Sequence, residues 1–342
     1  MKRENLKWQL PILLVLIVGT VYILRRQSQM PYQKDTGKIF GTIFHATYQS
    51  DKNYFEDIMA ELKKVDNSLS PFNPNSVISR INRNEDVEPD PLFMETYYCA
   101  QEISKKTSGA FDFTIAPLAN AWGFGFKQGI YLDSQAVDSL REIVDYRKVS
   151  FANNRIVKED DRIMLSGSAI AKGFASDIIG RLLEKKGVRN YMVEIGGEIV
   201  VKGKNPQKKL WRIAVNKPVE DSLSINQDIK AVLELTDIGM ATSGNYRNFH
   251  YRDGKKYGHT IDPRTGYPVQ TEILSATVLA DNCMTADGYA TAFMVMGFEK
   301  TKELVENTPG LEVYLIYLDA AGNEETYMSP SMKRYVVEEN II

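Results

Sequence analysis

The hydrophobic pattern changes period many times along this chain. Ile39 to Tyr48 alternates as a strand does, and Tyr54 to Leu69 carries an amphipathic helical stripe. Asn75 to Asn82 predicts a short helix after a Pro-bounded turn. Pro91 to Thr107 predicts a longer one, stopped at Ser108-Gly109. Ser134 to Val144 follows as a helix capped by Asp133 or Ser134. Three short strands are expected at Tyr146 to Phe151, Arg155 to Lys158 and Arg162 to Leu165. Ala169 to Lys186 reads as a helix ending at Gly187. Strands are expected at Tyr191 to Ile195, Ile199 to Lys202, Trp211 to Val215, Ala231 to Thr236 and Ile273 to Leu279. A last hairpin, Val313 to Asp319 and Glu325 to Met328, turns at Ala321-Gly322-Asn323. Pro218 to Asp228, polar and irregular, reads as an exposed loop. Helices and strands mix without a regular βαβ repeat, so the pattern predicts an α+β fold in one large domain.

The N-terminus has its own pattern. Lys2, Arg3 and Lys7 form a basic region over 1–9, and residues 10–24 are apolar. That run is shorter than the ~20 residues of a usual span. It predicts a signal anchor, with 25–37 as a tether and the main domain over 38–342. No small-residue cleavage site comes after it, and no cysteine for a lipid anchor. Arg25 and Arg26 oppose export of the downstream chain under the positive-inside rule. The expected location is the cell inner membrane, anchored by the N-terminus, with the domain on the periplasmic side.

Charge narrows the function. The 42 Lys and Arg nearly balance the 44 Asp and Glu, for a net charge of −2. That leaves no nucleic-acid footprint. Two cysteines, Cys99 and Cys283, make neither a disulfide framework nor a zinc site. One bridge between them is the most they allow.

The chemistry concentrates in the run from Asn282 to Gly297, a helix apolar on most faces that carries Asp287 and Thr291. Residues four apart share one helix face. A buried carboxylate must be neutralised, paired or bound to a cation. Two oxygen donors one turn apart suit a hard cation such as Mg²⁺. The spacing equally fits a carboxylate capping a neighbouring loop and a threonine bonded back to its own helix. Of three histidines, His45 lies in an expected strand and His250 in a charged loop. His259 lies in a loop, Gly258-His259-Thr260-Ile261-Asp262-Pro263-Arg264-Thr265-Gly266, that a ligand can reach. It is the candidate general base. Lys172 and Gly173 stand at a helix start, where anions are favoured, although a lysine there also simply covers apolar surface. Gly196-Gly197 follows a strand and leaves room for a ligand, or marks a bulge.

These segments, in order, resemble the ApbE family, the FAD:protein FMN transferases. The resemblance runs from about residue 38 to 330. It takes in Phe40-Gly41-Thr42, Ser70-Pro71-Phe72-Asn73-Pro74, Phe111-Asp112-Phe113-Thr114 and Trp122-Gly123-Phe124-Gly125. It continues through Ser168 to Asp177, Glu194-Ile195-Gly196-Gly197-Glu198, Thr242-Ser243-Gly244-Asn245-Tyr246, the His259 loop and Cys283 to Gly297. The resemblance implies an enzyme that moves FMN from FAD to a Ser or Thr hydroxyl of an acceptor flavoprotein, Mg²⁺-dependent, with AMP released. It adds the Ala171 carbonyl to Asp287 and Thr291 as a metal ligand. It implies FAD contacts from Phe40, Phe72, Ala121, Trp122, Gly123, Phe124, Ser168, Phe174, Gly196, Gly197 and Ile261, with Lys172 and His259 catalytic. The acceptors it implies are extracytoplasmic electron-transfer subunits. Phe40 stands where many relatives have methionine, and Ser166-Gly167-Ser168 lacks their aspartate. Two other functions stay open: a metal-dependent FAD pyrophosphatase giving FMN and AMP, which needs the same metal and pyrophosphate site, and a non-enzymatic flavin carrier, which needs neither the metal pair nor His259.

Overall fold

A computed structural model describes residues 11–20, 30–126, 132–218, 228–244, 249–252 and 255–339, without the side chains of 249–252 and 255–257. The basic region 1–9 and most of the loop from Pro218 to Asp228 lie outside the described residues. Helix α1 is described over residues 11–20, and its side chains from Ile12 to Val18 are 53–69% exposed. No helix among the described residues is long and apolar enough to cross a membrane.

The frame is an eight-stranded antiparallel sheet. Its strands are β1 (Tyr32–Ile39), β2 (Thr42–Gln49), β5 (Tyr191–Ile195), β6 (Glu198–Lys202), β9 (Ile238–Gly244), β12 (Ile273–Ala280), β13 (Glu312–Leu318) and β14 (Glu324–Met328), in that spatial order. Alternate side chains serve two cores, as the two-residue strand period requires. Val193, Val200 and Val278 join the main core with α2 (Phe55–Leu69), α4 (Pro91–Lys106), α7 (Ala171–Lys185) and α8 (Cys283–Met296). Ile199, Val201, Leu279 and Tyr314 face a second core. That core is closed by a three-stranded sheet of β7 (Trp211–Asn216), β8 (Ile229–Leu235) and β15 (Val336–Glu339). A third, smaller core joins α5 (Ala116–Ala121) and α6 (Ser134–Arg141) through Leu118, Trp122, Val137, Val144 and Ile261. The remaining elements are α3 (Val77–Asn82), α9 (Phe298–Glu306) and the hairpins β3 (Val149–Ala152) with β4 (Arg155–Lys158) and β10 (Phe249–Arg252) with β11 (Lys255–Gly258).

Several expectations are corrected. Residues 32–37 are not tether but the outer strand β1, paired with β2 along its whole length. Their polar sequence is that of an edge strand, with Asp35 buried beneath the Tyr48 hydroxyl at 2.6 Å. Arg162 to Leu165 forms no strand beyond one bridge, Met164 to Ile115. The Asn82 amide takes the partner's place, accepting from Leu165 N–H at 2.7 Å and donating to its carbonyl at 2.9 Å. Tyr146–Lys148 is a turn of 3₁₀ helix before β3. His250 lies in β10, not in a loop. Cys99 and Cys283 are both free thiols. Elements missed by pattern include α5, α9, β9 and β15. β9 carries Gly239 where a Cβ would lie 2.2 Å from the Cys283 nitrogen, so close packing removed the apolar signal.

α7 and α8 cross at van der Waals limit. A Cβ on Gly173 would meet the Cys283 carbonyl oxygen at 2.4 Å and Asp287 Cβ at 2.8 Å. Asp177 of α7 accepts from the first N–H groups of α8, Cys283 at 2.9 Å and Met284 at 2.8 Å. Asn282 caps the same helix through the Thr285 N–H. Asp177→Ala leaves two buried helix-start donors unpaired and should cost about 2–3 kcal/mol. Urea unfolding at constant m-value measures it. A loss below ~0.5 kcal/mol, the level of an ordinary surface substitution, would refute the cap.

Candidate active site

A cleft of about 540 Å³ opens where the two sheets and the α5 region meet. Its wall gathers Lys172 from α7, Asp287 and Thr291 from α8, and His259 from the loop after β11. Gly196 and Gly197 come from the β5–β6 turn, with Ser168, Phe124 and Ile261 beside them. These residues are far apart in sequence, and the fold brings them together.

The buried end is charged. Asp287 is 4% exposed, and its Oδ2 accepts from Gly173 N–H at 3.0 Å. Lys172 Nζ lies 2.6 Å from Glu198 Oε2. Burial raises the Asp287 carboxyl above its ordinary range, with the Lys172 ammonium and the Gly173 N–H pulling it back. Burial pushes Glu198 up to about 7, opposed by Lys172 and reinforced by Asp287. Burial works against the Lys172 charge, yet Glu198 and Asp287 outweigh it and hold the ammonium above its usual value. One cation thus serves two carboxylates. One turn along α8, Thr291 Oγ1 lies 3.3 Å from Ser243 Oγ. Thr291 is therefore paired across to β9, and Asp287 to the start of α7. The two readings left open by spacing meet here, since the cap-like bond to Gly173 leaves Asp287 lining the cleft.

The donor set suits a hard cation. Asp287 and Thr291 present oxygens to the cleft, and Ala171, which opens α7, stands two residues before the bonded Gly173. No cluster of three or more His, Cys, Asp or Glu exists among the described residues. A site built on these two side chains would offer one carboxylate and one hydroxyl, a pair that suits Mg²⁺ better than zinc.

Gly196 and Gly197 both have positive φ, 64° and 106°, so they form a left-handed turn at the cleft wall. A Cβ on Gly196 would sit 3.0 Å from the Thr42 methyl and 3.4 Å from the Lys172 stem. The glycine lets the β1–β2 hairpin, α7 and the cleft meet.

Other expected contacts lie elsewhere. Phe174 is fully buried in the main core, so its ring cannot meet a ligand. It packs there because α7 turns that face toward the sheet. Ala121 and Trp122 are buried, and the Trp122 Nε1–H donates to the Gly266 carbonyl at 2.8 Å. Gly123, at φ 85°, turns the chain from α5 toward Phe124. Phe40 holds the left-handed position of the tight β1–β2 turn, φ 51°, and packs against the main core. Phe72 is 73% exposed and sets its ring edge against Phe126, which lines the cleft.

The cleft also contains Asp112, Glu194, Glu198, Asn216 and Ser243, to which sequence reading gave no role. Glu198 was visible as an acidic residue heading an apolar strand. Asn216 carried no signal, because only the second sheet brings it here. Asp112 accepts from Thr114 N–H, Thr114 Oγ1 and Tyr146 N–H at 2.6–2.9 Å.

The ApbE family model matches residues 40–315. The FAD:protein FMN transferase of Haemophilus influenzae is 36% identical over 324 residues, 88% of this chain and 92% of that protein. The FAD:protein FMN transferase of Vibrio cholerae is 34% identical over 312 residues, with the same shares. The solved flavin transferase ApbE from Vibrio cholerae superposes with a TM-score of 0.79 at 32% identity, over 89% of this chain and 100% of that one. The apo flavinyl transferase ApbE of Pseudomonas stutzeri gives 0.79 at 27% identity, over 89% and 96%.

Burial pushes Asp112 up to about 6 from an ordinary 3.8, against its three donors. The folded carboxyl keeps its proton to about pH 6, and the unfolded one releases it near pH 4. Between those values the folded chain binds more protons, so this group's contribution to stability falls as pH rises. Asp112→Asn should remove that slope, worth on the order of 3 kcal/mol between pH 4 and 6.5. Urea midpoints across that range test it, and parallel curves for the two proteins would contradict the assignment.

Proposed function

The chain belongs to the ApbE family, and from that premise we propose how its cleft moves FMN from FAD to an acceptor protein. It is an FAD:protein FMN transferase, an enzyme that modifies a flavoprotein. The observation that carries the mechanism is the convergence of Lys172, His259, Asp287, Thr291 and the Gly196-Gly197 turn on one cleft.

FAD lies with its pyrophosphate at the charged end, where Lys172 faces it and the start of α7 adds its helix-terminus field. Gly196 and Gly197 allow the phosphates to approach the backbone. Phe124, Ile261 and Ser168 line the rest of the bound molecule, and Phe72, set against the cleft-lining Phe126, stands at its edge. Asp287, Thr291 and the Ala171 carbonyl would hold a Mg²⁺, which would supply charge neutralisation for the pyrophosphate. The acceptor's Ser or Thr oxygen forms a bond to the FMN-side phosphorus. The bond from that phosphorus to the bridging oxygen breaks, and AMP leaves with the electron pair. His259 takes the hydroxyl proton. Such a transfer depends mainly on position and electrostatics, which this buried charge set provides.

The N-terminus supports a location for the reaction. Helix α1 presents an apolar surface with no core against it among the described residues, behind Lys2, Arg3 and Lys7. It anchors the chain in the inner membrane, and the catalytic domain lies on the periplasmic side. The acceptors are then extracytoplasmic electron-transfer subunits.

Incubating the enzyme with FAD, Mg²⁺ and an acceptor should give a fluorescent protein band whose mass rises by one FMN. Asp287→Ala should abolish that band without unfolding the protein. Thr291→Val should weaken metal affinity less, because a neutral oxygen binds a cation less strongly than a carboxylate. Full transfer by Asp287→Ala in the presence of EDTA would exclude the metal site. FMN and AMP appearing with no labelled acceptor would favour the pyrophosphatase instead.

Topology is tested separately. A C-terminal reporter active only after export should work, and one active only in the cytoplasm should not. The opposite pattern would reverse the orientation and exclude extracytoplasmic acceptors.

A further inference from the structure

His259 stands immediately before a closed turn, whose ends meet where Val269 N–H donates to the Thr260 carbonyl at 2.9 Å. Ile261 bridges Pro268, Asp262 N–H donates to the Tyr267 carbonyl at 2.9 Å, and Gly266 N–H returns to the Asp262 carbonyl at 2.8 Å. These bonds make the turn a rigid unit. Its placement depends on what grips it from outside.

Two contacts do so. On one side, Arg264, held by Asp262, reaches the Val295 carbonyl near the end of α8 at 3.4 Å. That bond is long and half-exposed, hence weak. On the other side, the buried Trp122 indole donates to the Gly266 carbonyl at 2.8 Å. Its ring packs against Tyr267 with centroids 5.8 Å apart, and Ile261 of the same turn joins its core cluster. Gly266, at φ 81°, has no room for a side chain, since a Cβ would lie 2.6 Å from Val137 Cγ1. The turn is therefore seated directly on α5 and α6.

We propose that Trp122 is a positioning residue: its indole N–H, bonded to the Gly266 carbonyl, fixes the turn that aims His259 into the cleft. Trp122 is not among the residues that line the cleft, so its bond reaches His259 through the turn. This inference rests on the reading of His259 as the base. An error of an ångström in a base's position is enough to slow transfer strongly while leaving substrate affinity alone.

The test uses the full chain with FAD, Mg²⁺ and an acceptor. Trp122→Phe keeps an aromatic ring and removes the donor. It should lower kcat ~10-fold and change the FAD dissociation constant less than ~2-fold. His259→Ala should lower kcat by ~10²–10⁴-fold. Adding Trp122→Phe to it should cost nothing more, because coupled residues are not additive. Tyr267→Ala, at a half-exposed ring, should slow transfer in the same direction by ~3-fold or less. It carries the test if thermal unfolding shows Trp122→Phe to be misfolded. Equal losses of FAD affinity and kcat in Trp122→Phe would overturn the proposal. So would multiplying losses in the double variant, or wild-type kcat in both Trp122→Phe and Tyr267→Ala. Full transfer by His259→Ala would overturn the base reading instead. A slow His259→Ala beside a normal Trp122→Phe would leave that reading intact and reject the positioning role.

Discussion

The crossing of α7 and α8 sets the rest of this molecule. Gly173 brings the two backbones closer than any side chain would allow, and each helix then satisfies the other. α7 gives its Gly173 N–H to Asp287, and through Asp177 it accepts the opening N–H groups of α8. Buried polar groups must be paired, so this exchange fixes both the register and the angle of the two helices. Because Lys172 precedes Gly173 and Asp287 is itself the acceptor, fixing the crossing also fixes the charged end of the cleft.

That end is electrostatically tense in a way that suits a cation. Lys172 pairs with Glu198 and its charge also acts on Asp287, and burial raises both carboxyls. Two carboxylates with one ammonium leave the pocket short of positive charge. A metal cation would relieve that shortage, and its arrival would leave Lys172 better able to face phosphate. The helix crossing and the charge balance are thus one design seen at two scales.

The far wall is built differently. The His259 turn is seated on α5 and α6 through a small cluster around Trp122. The second sheet closes the third side with Ala214 to Asn216. A reaction site at the junction of three separately packed units can combine a rigid charged floor with walls that present loops and strand ends.

The sequence by itself determined the α+β class, the bounds of most helices and central strands, and the two chemical segments around His259 and Asp287. Period, caps and glycine stops are local, and local signals survive without a fold. It also carried enough ordered motifs to place the chain in its family. Tertiary structure decided what the pattern could not. β1 looked like a tether because an edge strand needs no apolar face. β9 was hidden because its Gly239 answers to α8, and Leu165 takes its partner bonds from the Asn82 side chain. Phe174 and Trp122 look in sequence like any ring beside a ligand, but packing turned one into the core and the other under the His259 turn. Asn216 entered the cleft only through the second sheet. In each case the deciding contact joins residues remote in the chain, and no window along the sequence contains both partners.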